Sequence, residues 1–235
     1  MFYYRLVMQQ RFEFVSADLE RWRTALQPSL VRVEHPPVRS PIGALVKSLI
    51  SSRTLDPVSL AAYRRLCRRF PSPQQLARAA PAAIRRTIAE VTFAERKAVQ
   101  LAECMARIER EHADFDLAFL GNMPLNDALA WLERLPGVAR KVAAATLNGS
   151  WLRRPVFIVD THVQRVMQRL GFVDPHADIR TISEQVTAGA PDWSGDDFLW
   201  FHVATKRLGQ LVCRPEAPHC LHCPLAFACP SAGRV

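Results

Sequence analysis

Four cysteines near the end of the chain, Cys213, Cys220, Cys223 and Cys229, follow the spacing C-x6-C-x2-C-x5-C. Thiolates are metal ligands. Four of them this close along the chain can surround one centre, either tetrahedral zinc or a [4Fe–4S] cluster. His219 and His222 flank two of the cysteines and are alternative donors. The 6-2-5 spacing lacks the paired C-x2-C knuckles of a zinc ribbon, which tilts the choice towards iron–sulfur.

A second group lies upstream, in the string Leu135-Pro136-Gly137-Val138-Ala139-Arg140-Lys141. Gly137 suits the left-handed backbone of a tight turn. A helix starting at about Arg140 would aim unpaired N–H groups and a positive dipole end at an anion such as a phosphate. Leu-Pro-Gly alone would equally suit an ordinary corner between helices; the full string is more specific. Lys141 falls on the first turn of that helix. Partly desolvated among cations, a lysine becomes a nucleophile for an electrophilic carbon such as a sugar C1′, giving a Schiff base. Its commoner role in a basic protein is contact with phosphate. Asp160 follows an apolar run and could accept a proton or stabilise a cationic sugar transition state. It also precedes Thr161-His162-Val163-Gln164, where it fits a helix N-cap. His162 reads as structural.

The elements that must carry these groups are helical. Ile42, Leu45, Val46, Leu49 and Ile50 recur at helical spacing and form one apolar stripe. Ser72-Pro73 reads as an N-cap with proline at the first helical position, and Pro81 opens a helix to about Glu90. Further helices are predicted over about 96–112, 126–134 and 196–212. Val156-Phe157-Ile158-Val159 resembles a strand but has no sheet to join, so a buried extended connection or a helix start is expected there. His35-Pro36-Pro37 and Trp151 to Pro155 are candidate boundaries between domains.

The chain has 235 residues, 49% of them hydrophobic, with a formal net charge of +9. That charge points to a polyanionic partner, nucleic acid before an anionic membrane; Arg64, Arg65, Arg68 and Arg69 alone would also fit a solvated helix face. No apolar run approaches the roughly 20 residues of a membrane span. Met1 to Met8 is too soon polar for a signal peptide. A reducing, cytoplasmic setting is therefore expected, in which clustered cysteines bind metal rather than form disulfides. Cys67 and Cys104 fall on apolar-patterned helices and are expected to be small buried hydrophobes.

Taken together, Leu135–Lys141, Val159–His162 and the four ordered cysteines closely resemble the endonuclease III family of DNA glycosylases, in the helix–hairpin–helix superfamily. The resemblance runs from about residue 38 to Cys229. It implies an all-α fold: a six-helix barrel domain over 38–150 containing the helix–hairpin–helix, and an iron–sulfur cluster domain built from both termini, 1–37 and 151–235, with DNA bound in the cleft between. Carried over by motif, Lys141 is the Schiff-base nucleophile and Asp160 its carboxylate partner. Gly137, Val138, Ala139 and Arg140 meet the DNA backbone. Cys213, Cys220, Cys223 and Cys229 hold a [4Fe–4S] cluster that positions DNA rather than reacting. The implied activity is bifunctional: a damaged base, usually an oxidised pyrimidine, is flipped from duplex DNA and displaced by Lys141, and β-elimination then nicks the strand. The implied enzyme is a monomer. The adenine and mismatch-thymine glycosylases of the superfamily lack lysine at this position.

The chain departs from the family pattern at several positions that bear on its substrate. The family's duplex-filling glutamine falls on Arg53, within Leu49-Ile50-Ser51-Ser52-Arg53-Thr54. Arginine is donor-only and favours the O6 and N7 acceptors of guanine, so a bias towards lesions opposite guanine is expected. The second wedge, usually a leucine after glycine, falls on Phe93 after Thr92. Phe93 would stack in the gap left by the flipped base, or else pack in the core. The segment Arg214–His219 between the first two cysteines is less basic than the family pattern. Two other readings remain at the sequence level: a damage-binding protein with little chemistry, and a monofunctional glycosylase in which Lys141 serves only phosphate.

Overall fold

The computed structural model describes residues 16–31, 33–34 and 37–234. These residues form helices and turns and no β-strand. The expectation placed on Met1–Met8 falls outside the described residues, as do His35 and Pro36. No helix among the described residues is long and apolar enough to cross a membrane. The chain divides into two compact units: Pro37–Arg154, and the described residues before Pro37 together with those from Pro155 onward.

In the first unit, helix α2 (Pro41–Ser51) starts where Ser40 accepts a hydrogen bond from the Gly43 N–H, with Pro41 supplying the preset first helical φ. Its stripe of Leu45, Leu49 and Ile50 is almost fully buried. It packs against α3 (Asp56–Arg69), α6 (Ala94–Glu111) and α8 (Arg140–Asn148). The short helices α4 (Pro73–Ala77) and α5 (Pro81–Thr87) pack on α6, and α7 (Leu125–Glu133) packs on α8. Helix α6 buries Ala98, Leu101, Ala102, Met105 and Ile108, a spacing of three and four residues that keeps one face inward. Each such leucine, isoleucine or methionine contributes about 1.5–3 kcal/mol by leaving water. Cys104 is buried as expected, but Cys67 is exposed. The inward stripe of α3 is Ser59, Ala62 and Leu66, and Cys67 lies one step, or about 100° of helix, off it. Helix α5 stops at Thr87, short of Glu90, because Ile88 leaves helical geometry.

In the second unit, a helix over residues 16–26 (α1) contributes Leu19, Trp22 and Leu26 to a core shared with α9 (Thr161–Arg169), α10 (Ile179–Gly189) and α11 (Gly195–Leu211). Val156 to Val159 is an extended, almost fully buried connection through that core. Phe157 has its amide paired with the Thr187 hydroxyl and its carbonyl with the Ser183 hydroxyl. Side chains thus satisfy the backbone that a neighbouring strand would otherwise pair. Asp178 and Ser194 cap α10 and α11, the latter through a reciprocal capping box with Asp197.

Candidate functional site

The hairpin is built between α7 and α8. Leu135 and Val138 are 4% and 5% exposed and anchor it to the core, and the Val138 N–H closes the turn on the Leu135 carbonyl at 3.1 Å. Gly137 sits at φ +76°, and a Cβ there would lie 2.9 Å from Gln100 Cβ, so both the backbone and the space demand glycine. Ala139 is the extended N-cap of α8 and offers no side-chain cap. Gly137 and Ala139 are exposed, so the turn presents backbone to solvent at the positive end of a nine-residue helix. The side chains of the two remaining hairpin residues turn inward. The Val138 side chain belongs to the core. The Arg140 guanidinium is buried, with its Nε 2.8 Å from Glu133 Oε1. This ion pair links the end of α7 to the start of α8, so the Arg140 side chain holds the hairpin's shape.

Lys141 stands half-buried on the first turn of α8. Its Nζ lies 3.0 Å from both the Ser48 and Ser51 hydroxyls and 3.4 Å from the Ser48 carbonyl. These serines come from α2 and went unrecognised in the sequence. The available signal was a pair of hydroxyls three residues apart on an otherwise apolar helix. They fix the amine's position with neutral acceptors and bring no counter-charge to it.

Asp160 is the N-cap of α9: its Oδ1 accepts from the His162 N–H at 2.9 Å and the Val163 N–H at 3.0 Å. Its Oδ2 lies 4.0 Å from Lys206 Nζ. Burial pushes the carboxyl's pKa up, but His202, the Val163 amide, Lys206 and His162 together outweigh it and hold it below the ordinary value. Asp160 is therefore ionised at neutral pH. Its tuning groups, His202 and Lys206, were also missed; the helical spacing that brings them near Asp160 shows only once α11 is placed. His202 Nδ1 lies 2.7 Å from the Ile158 carbonyl and donates to it.

The two other sequence-expected DNA contacts are both at the surface. Arg53 is exposed at φ +53°, just past α2, and Phe93 is 58% exposed at φ +59°, just before α6. Phe93 is not a core residue. The two loops touch: the Thr92 N–H donates to the Thr54 hydroxyl at 3.2 Å.

All four terminal cysteines line one cavity of about 30 Å³, together with Arg169 and Pro218. His219 and His222 are exposed and stand outside its lining. Among the described residues no three His, Cys, Asp or Glu side chains converge as a site for a single ion. The cysteines are spread over the wall of the cavity instead. Burial pushes the Cys223 and Cys229 thiols up, the Leu225 and Ser231 amides oppose this, and the neighbouring cysteine sulfurs push up again. Four thiolates here would need a cationic centre among them. Arg169 donates to Cys213 Sγ at 3.5 Å, a contact suited to a sulfur bearing negative charge. The sulfur-only lining, with Arg169 beside it, is compatible in its chemistry with an iron–sulfur cluster.

The family model for the HhH-GPD superfamily of base excision DNA repair proteins matches residues 46–189. The chain is 30% identical over 193 residues to endonuclease III of Thermotoga maritima, covering 80% of this chain and 82% of that protein. The chain belongs to the endonuclease III family. It is also 31% identical over 201 residues to the chloroplastic endonuclease III homolog 1 of Arabidopsis thaliana, spanning 84% of this chain but only 51% of that protein. The same fold is found in a trapped endonuclease III–DNA covalent intermediate, with a TM-score of 0.77 over 93% of this chain and 97% of that one at 19% identity. The architecture is thus the all-α helix–hairpin–helix glycosylase fold, and the hairpin and Asp160 fall inside the matched family region.

Proposed function

We propose that this endonuclease III-type protein is a bifunctional DNA glycosylase and abasic-site lyase that removes damaged pyrimidines from duplex DNA. The observation that carries this reading is Lys141: a half-buried amine fixed by Ser48 and Ser51 directly behind a phosphate-competent hairpin. The unit Pro37–Arg154 acts as the barrel domain carrying the hairpin, and the other unit as the cluster domain. Gly137 and Ala139 offer their backbone to a phosphate, which sets the register of the strand. Lys141 Nζ, in its free-base form, attacks C1′ of the flipped nucleotide. The N-glycosidic bond breaks, the base leaves with its electron pair and is protonated, and nitrogen becomes bonded to C1′. Asp160, ionised, serves as the carboxylate partner, taking up the lysine's proton or stabilising the cationic sugar. Ring opening gives a Schiff base, loss of a C2′ proton follows, and the C3′–O bond breaks by β-elimination.

The four cysteines would hold a [4Fe–4S] cluster whose contribution is to order the segment Cys213–Cys229; the chemistry of excision belongs to the residues above. Arg53 and Phe93 fill the space vacated by the flipped base, and Arg53 biases activity to lesions opposite guanine. The test is strand nicking, without added alkali, of duplexes carrying thymine glycol or dihydrouracil opposite each of the four bases. The parent protein should nick, fastest opposite guanine. Lys141→Gln should lose nicking, and Arg53→Gln should level the four rates. Base release without nicking would instead support a monofunctional enzyme in which Lys141 serves only phosphate.

A further inference from the structure

The two residues proposed to enter the duplex share an uncommon backbone state. Arg53 and Phe93 are not glycines, yet both lie in the left-handed region. Each such residue costs on the order of 1 kcal/mol or more and persists only where its surroundings hold it. The surroundings here converge on Lys97, on the first turn of α6. Lys97 is 5% exposed, among the most buried of the charged side chains described. Its Nζ donates to the Ile50 carbonyl at 2.9 Å, to the Ser52 carbonyl, and to the Thr54 hydroxyl at 3.2 Å. An ammonium has three donors, and all three are used. The Ile50 carbonyl lies in the last turn of α2, where such groups lack helical partners and where the helix dipole favours a cation.

The other end of the same residue reaches the second loop. The Lys97 N–H donates to the Phe93 carbonyl at 3.0 Å. The Thr54 hydroxyl that accepts from Nζ also accepts the Thr92 N–H. The Lys97 side chain therefore grips the neighbours of Arg53 on both sides and reaches the Thr92 N–H beside Phe93 through the shared Thr54 hydroxyl, while its own N–H makes the first helical bond of α6 to Phe93. Burial pushes its ammonium down to about 8, consistent with a dry contact between the loops.

We infer that Lys97 is the positioning residue of the duplex-entering pair, tying the Arg53 and Phe93 loops into one rigid unit that opens the base pair. This rests on the proposed glycosylase–lyase reading, and it assigns Lys97 a task that an unpaired substrate does not require. An abasic site in a single strand needs no wedge, because no partner strand has to be displaced.

The experiment compares borohydride trapping rates on an abasic site in single-stranded and in duplex DNA, for the full chain and for Lys97→Met and Thr54→Val. It is paired with the fluorescence of 2-aminopurine placed beside the site, which reports unstacking. Lys97→Met should trap the single strand within about twofold of the parent, while its duplex rate and fluorescence rise fall about tenfold or more, the scale of losing charge-assisted hydrogen bonds. Thr54→Val should shift the same ratio in the same direction by less. Single-strand and duplex rates falling together, or neither changing, would overturn the inference. If Lys97→Met does not fold, the ratio for Thr54→Val decides in its place. If the parent traps neither substrate, the lyase reading fails instead, and the fluorescence alone then decides the role of Lys97: a rise kept in the variant overturns it.

Discussion

Asp160 caps α9 and is proposed as a catalytic carboxylate, two duties that chemistry can separate. As the N-cap of α9 it needs only an acceptor oxygen, which asparagine also supplies; as the carboxylate partner of Lys141 it needs charge. Asp160→Asn should therefore keep the cap, lose at neutral pH only the modest stability its charge contributes, and lower the excision rate by about 10²- to 10⁴-fold. Asp160→Ala should lose the rate and also about 1 kcal/mol of stability. Because the folded carboxyl lies below its ordinary value of 3.8, it stabilises the fold at all higher pH, and that contribution disappears only as pH falls through the depressed folded value. Excision should accordingly show no acidic limb from Asp160 above about pH 4. A thermal melt and a pH–rate profile of the asparagine and alanine variants check both halves. An asparagine variant with full activity would leave Asp160 as a cap alone.

The hairpin is the element proposed to set the DNA register, and its geometry is set by Gly137 and by the Glu133–Arg140 pair. Gly137→Ala would place a methyl group 2.9 Å from Gln100 at a positive φ, so the turn must move. Duplex affinity, measured by fluorescence anisotropy, should fall about tenfold or more while the melting temperature drops only modestly. Unchanged affinity would show that the turn does not meet phosphate. The hairpin and the cysteines were legible in the sequence because both are local: turn, helix start and metal spacing are written in consecutive residues. What was illegible depends on contacts across long stretches of chain. Ser48 and Ser51 reach Lys141 from some 90 residues away. Lys97 looks like an ordinary solvated lysine of an amphipathic helix until packing buries it against α2. The inward ion pair of Arg140 with Glu133 was hidden too, since nothing in the local string shows which way that helix face turns. The run Val156 to Val159 resembled a strand because full burial, whether in a sheet or in a helical core, selects the same apolar residues.

Over the whole molecule, the net charge of +9 supplies a sequence-independent attraction for a polyanion, and the residues proposed for the chemistry fall in both units. One carries Lys141, the hairpin and the Arg53 and Phe93 loops; the other carries Asp160 and the cysteine-lined cavity. The central claim is that a single amine, Lys141, becomes covalently joined to the sugar. The most direct measurement is borohydride trapping of the full chain on a duplex carrying thymine glycol, followed by proteolysis and mass spectrometry of the cross-linked peptide. A deoxyribose-derived adduct on Lys141 is the predicted result. An adduct on another amine such as Lys206, or release of the base with no adduct at all, would contradict it.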